Sequence, residues 1–115
     1  MYRDLEVWKD AVSLIKVIYK ISDDLPKTEE YNIKSQMKRA IISVALNIAE
    51  GKTRKSSKEF AHFLNLSLSS LHEVEAILYI CEELNFLSGL DEIHNKIQIL
   101  GKRISALRSK LLKDA

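Results

Sequence analysis

Between Leu90 and Leu111, apolar residues return at strictly alternating intervals of three and four: Leu90, Ile93, Ile97, Leu100, Ile104, Leu107 and Leu111. A repeat averaging 3.5 residues brings one apolar side chain per turn onto a single helix face, so this stretch predicts a helix carrying a bundle-type seam. Three earlier segments follow the same rule. Val7, Ala11, Leu14, Ile18, Ile21 and Leu25 form one seam, with Leu5, Trp8, Val12, Ile15 and Tyr19 beside it. Pro26 restricts the residue before it, so this first helix is expected to end near Asp24. A second is expected to start after Thr28, with Glu29 and Glu30 at its positive dipole end, and to run to Gly51. The third begins at Ser56 or Ser57, where Ser56 and Glu59 have the S-x-x-E spacing of a capping box, and runs to about Asn85. Only three Gly and one Pro interrupt 115 residues. Short connections make neighbouring helices antiparallel. The expected fold is all-α, an antiparallel up-down-up-down four-helix bundle, with residues 1–115 as one domain.

Two of these helices carry more apolar surface than one core needs. On the second, at about 100° per residue, Ile33, Met37, Ala40, Ile41, Val44 and Ile48 make the core face. Gln36, Arg39, Ser43, Asn47 and Glu50 form a polar stripe beside it. Beyond that stripe lie Ile42 and Leu46, near Ala45 and Ala49, which a straight helix holds away from the core. On the third, the apolar arc from Leu66, Ile77 and Leu84 round to Leu68 and Phe86 spans about 200° by the same projection. A loop over a buried central helix is one explanation. Soluble monomers avoid large exposed apolar patches, so a homo-oligomer using Ile42, Leu46, Leu66, Leu68 and Ile77 is the other. Glu75 projects into that arc, where an unpaired carboxylate is costly. Arg39 is its expected partner, with Gln36, Ser43, Asn47, Glu50 and Glu73 completing a structural polar network.

The motifs that suggest chemistry fall away on inspection. Glu59 with His62, and Asp91 with His94, have the Glu-x-x-His-like spacing of a di-iron bundle, but the two pairs open helices at opposite ends, about 40 Å apart. Gly51-Lys52-Thr53 lacks the earlier glycine of a phosphate-binding loop, since Leu46 stands there. Cys81 is the one cysteine, so no intrachain disulfide forms, and its apolar setting reads as a small buried hydrophobe. The three histidines lie apart and no Ser, Cys or Lys has an evident base and orienting partner, so no catalytic residue, metal or cofactor is expected. No apolar run approaches the roughly 20 residues of a membrane span, and a cytoplasmic protein is expected.

The net charge of +2 argues little by its sum. Its distribution says more. Lys52, Arg54, Lys55 and Lys58 crowd the connection between the second and third helices with only Glu50 and Glu59 flanking them, and Lys96, Lys102, Arg103, Arg108, Lys110 and Lys113 bias the fourth helix. The first group is a candidate phosphate-contacting site, and a ring of copies would repeat it. The alternative is a solvated loop.

Ser35, Gln36, Met37, Lys38, Arg39 and Ala40, then Ser43, then Asn47, Ile48, Ala49, Glu50 and Gly51, form a pattern that resembles the signature of the 23S rRNA intervening sequence proteins of bacteria. Leu5-Glu6-Val7-Trp8, Glu59-Phe60, Phe63-Leu64, Ser70-Leu71, Glu73 and Glu75 extend the likeness over most of residues 2–87. The sequence departs from the pattern at Ala45, where proline is frequent, and at Ser67, Leu68 and Ser69, where small and basic residues are usual. The resemblance implies a homopentameric four-helix bundle with no catalytic activity. The related accessory variability proteins of diversity-generating retroelements imply nucleic acid and a reverse transcriptase as partners. Together these readings predict a non-enzymatic homo-oligomer, a pentamer by resemblance, that binds RNA or DNA through basic surfaces. The alternative is a scaffold recruiting a partner such as a retroelement reverse transcriptase.

Overall fold

The computed structural model describes residues 1–115 and is all-helical. Four helices, α1 (Glu6–Ser22), α2 (Ile33–Lys52), α3 (Ser57–Glu83) and α4 (Asp91–Lys113), pack antiparallel, with short 3-10 turns at Tyr2–Asp4 and Lys27–Glu29. The bundle measures 46 × 24 × 20 Å. The long dimension is about that of α3 at 1.5 Å per residue.

The seams read from the sequence make one shared core. Val7, Ala11, Leu14 and Ile18 from α1 meet Met37, Ile41, Val44 and Ile48 from α2, Leu64, Leu71, Val74 and Leu78 from α3, and Ile97, Leu100 and Ile104 from α4. Cys81 is fully buried among them, and desolvation, followed by the charges of Glu29 and Glu82, pushes its thiol pKa up. Such a thiol is a packing group of low reactivity. Ser22 is also fully buried on α1, where its hydroxyl donates to the Tyr19 carbonyl at 2.7 Å and leaves no unpaired polar group.

The start of α2 departs from expectation. It begins at Ile33 rather than just after Thr28, because Pro26, next to the buried Leu25, leads into a 3-10 turn at Lys27–Glu29 and the chain continues as a turn through residues 30–32. Asn32, at φ −125° and ψ −99°, breaks the helical path before α2 begins. Lys34 then ties the turn down, 3.2 Å from Glu30 and 3.4 Å from Asp23. The hydrogen bond to Glu30, with the charges of both acids, holds the Lys34 pKa above its ordinary value.

The ends of α3 follow local rules closely. Ser56 caps its start, accepting the Glu59 backbone N–H at 3.1 Å. At its end Asn85 takes φ 59°, and the Phe86 and Asn85 N–H groups bond back to the Cys81 and Glu82 carbonyls at 2.8 and 3.0 Å. This is a Schellman closure, which suits asparagine because a short polar side chain tolerates the left-handed region.

Candidate functional site

Gly51 builds the basic end of the bundle. It is buried in the last turn of α2, and a Cβ there would lie 2.8 Å from both the Phe60 ring and the Phe63 Cβ. Only a residue without a side chain lets the first turns of α3 come this close. Phe60 and Phe63 are thereby brought up against the connection, and its cations lie over their rings. The Arg54 guanidinium is 4.7 Å from the Phe63 centroid and Lys52 is 6.0 Å from that of Phe60. Arg54 is further held by a salt bridge to Glu50. Lys55 and Lys58 are exposed and in no ion pair.

The antiparallel topology gathers more charge here than the connection alone carries. Cross-links between α3 and α4 join Glu82 to His94 and Glu75 to Gln98, so the last turn of α4 falls beside the first turn of α3. The 3-10 turn at Tyr2–Asp4 packs on the end of α2. Arg3, Arg108, Lys110 and Lys113 thus share an end with Lys52, Arg54, Lys55 and Lys58. Residues 1–6, 50–59 and 108–115 of this end hold eight Lys and Arg against five Asp and Glu. The opposite end, residues 20–34 and 82–96, holds four against eight. The bundle is therefore electrically polar along its length, a property that the small net charge conceals. The bias of α4 is visible in the sequence; its convergence with the connection is not, because it depends on topology.

The expected polar network does not close within one chain. Arg39 is exposed and without an ion pair, and Glu75 instead accepts a hydrogen bond from Gln98 at 2.6 Å. Glu75 is half-buried at the edge of α3, and the groove it faces is that of α4, not α2. Glu73 and Gln36 are exposed, and Glu50 turns to Arg54. Three members of the region do form a compact group: Ser70 lies 2.9 Å from Ser43, and Asn47 donates to the Ser43 carbonyl and hydroxyl at 2.9 and 3.1 Å. With Ser67, whose hydroxyl bonds the Val44 carbonyl at 2.8 Å, these small polar residues form the α2–α3 seam.

The surplus apolar surface is real but differently composed. Leu46 is 62% exposed and Leu66 is 38% exposed, while Ile42 and Leu68 are half-buried. Ile77 is only 7% exposed and belongs to the core, so its expected place at an oligomer interface is corrected. It lies close in projection to Leu66, but on a flank that the neighbouring helix covers. Ala45 is likewise buried. Ile80 and Leu84, each about half-exposed, lie within about 40° of Leu66 by helical projection and extend its stripe along α3.

At the opposite end His94 is engaged with α3, its Nε2 2.5 Å from Glu82 and its ring stacked 4.2 Å from that of Tyr79. It does not join Asp91 in a cluster, and no group of three or more His, Cys, Asp and Glu side chains is placed to hold a metal ion. No helix is long and apolar enough to cross a membrane.

These features define a four-helix-bundle protein with a basic end and exposed apolar residues on both α2 and α3. The family model of the 23S rRNA-intervening sequence proteins matches residues 3–106, and the chain belongs to that family. Its fold is similar to the crystal structure of a protein of unknown function from the S23 ribosomal protein family of Bacteroides thetaiotaomicron VPI-5482. The TM-score is 0.66 and the identity 18%, over 93% of this chain and 95% of that one. A comparison with curated proteins gave no match.

Proposed function

We propose that this protein is a non-enzymatic homo-oligomer, a pentamer by resemblance to its family, that presents the basic end of each bundle to RNA or DNA. The observation that carries this reading is the charge polarity of the bundle, with Lys55 and Lys58 exposed and free of acidic partners. A polyanion gains most where cations are not already neutralised, because each phosphate contact releases condensed counterions. Assembly multiplies the effect, since a ring with its bundles aligned repeats the basic end on one face and turns weak contacts into a strong one.

Exposed Leu46, Leu66 and half-buried Ile42 support the oligomer, because burying them between copies removes apolar surface from water at about 25 cal/mol per Å². Light scattering at micromolar concentration is expected to give a mass of several protomers, with Leu46→Glu lowering it while leaving the helical content intact. Structured RNA is expected to bind at low salt and to be released steeply as salt rises. A monomeric wild type, or no RNA binding at low ionic strength, contradicts the reading. Recovery of a reverse transcriptase from the native host without nucleic acid would favour the scaffold alternative.

A further inference from the structure

We propose that the cleft where α3 leaves the α2–α3 connection stacks an unpaired nucleobase, so that the basic end prefers single-stranded nucleic acid, including the loops of structured RNA, to a duplex. The inference rests on the basic-end reading above and names the class of ligand that end takes. The site is a shallow, open depression of about 480 Å³ lined by Arg54, Lys58, Glu59, His62 and Phe63. Three of these five carry flat π-systems, a phenyl ring, an imidazole and a guanidinium, and because Arg54 covers one face of Phe63, the exposed His62 and Arg54 are the groups a base meets first. The His62 and Phe63 rings meet edge to face, with centroids 5.5 Å apart and planes at 73°. Arg54 lies over Phe63 at 4.7 Å and is pinned by Glu50.

Aromatic rings and arginine planes are the surfaces on which proteins stack splayed bases, and stacking tolerates any sequence because every base has a π-face. The combination is not what a loop needs merely to remain soluble. Phe63 is anchored through its Cβ against Gly51, so its ring is held by helix packing, while Arg54 reaches it from the connection. Charge around the cleft is also sorted. Lys58 on the wall and Lys55 next to it supply phosphate contacts to either side, whereas the exposed Glu59 carboxylate repels a phosphate and accepts a hydrogen bond from an exocyclic amino group of a base. A strand whose backbone follows the lysines and whose base turns inward satisfies both. A duplex keeps its base faces hidden and can use only the lysines.

The test compares a labelled short single-stranded oligonucleotide with a duplex of the same composition, by fluorescence anisotropy at low salt, on the intact protein. The single strand is expected to bind more tightly. His62→Ala, Arg54→Lys and Phe63→Leu, the last keeping the packing against Gly51, are expected to weaken it about five- to tenfold each while leaving the duplex and the salt dependence nearly unchanged. Circular dichroism establishes that each variant remains folded. Equal binding of the two forms by wild type, or folded stacking variants that bind the single strand as wild type does, overturns the stacking inference and leaves the basic-end reading standing. Binding of neither form overturns both.

Discussion

The two ends of α3 are closed by different means. At its start, closure depends on space and on a side-chain cap: Gly51 has no Cβ to collide with Phe60 and Phe63, and Ser56 takes up the Glu59 N–H. At its end, closure depends on backbone conformation, with Asn85 at φ 59° and Gly89 at φ 68°. The polar groups around the two ends are used differently as well. Near the end of α3, His94 is tied to Glu82, and Gln98 to Glu75 one turn and more further in. Near its start, Arg54 is the one cation of its connection held by a carboxylate, and Lys55 and Lys58 face water. The acidic end ties His94 and Lys34 to carboxylates, whereas the basic end leaves Lys55 and Lys58 exposed within an excess of cations.

Substitutions at the two closures should separate these mechanisms. The largest effect is expected from Gly51→Ala, which forces apart contacts of 2.8 Å and should destabilise by about 1–3 kcal/mol in denaturant unfolding. Gly101→Ala is the control, since its Cβ would meet Leu71 at an ordinary 3.6 Å and should not destabilise. Gly89→Ala tests the other closure: no atom lies within 4 Å of the added Cβ, so a loss of about 1–2 kcal/mol there would come from the positive φ alone. Ser56→Ala removes the cap and should cost about 1 kcal/mol. The smallest response is expected from Cys81, whose buried, upward-shifted thiol should remain unmodified by a thiol reagent at neutral pH until the protein unfolds.

The sequence made some of this legible and hid the rest for identifiable reasons. Helix extents and the Ser56 cap are local, so periodicity and a four-residue motif suffice to place them. Periodicity starts α2 too early, because the burial of Leu25 and the 3-10 turn at Lys27–Glu29 belong to the tertiary packing and not to a local motif. Projection round a single helix separated Leu46 from the core correctly, yet it could not say which flank of α3 a neighbour covers. From projection alone Ile77 reads as surface and Arg39 as the partner of Glu75, whereas Ile77 is buried and Glu75 bonds Gln98. The basic connection was legible as a run of cations. The grouping of Phe63, Arg54 and His62 was not, although a histidine and a phenylalanine three and four positions beyond Glu59 are a signal that could suggest it.

The central claim, that the basic end binds nucleic acid, is tested most directly by how affinity for RNA depends on salt in two paired variants. Lys55→Gln with Lys58→Gln removes unpaired cations from the basic end, and Lys20→Gln with Lys27→Gln removes two exposed cations from the acidic end at the same cost in net charge. The expected result is a slope of log affinity against log salt that flattens by about one to two in the first variant and is unchanged in the second. Equal flattening in both, or none in the first, would contradict the account.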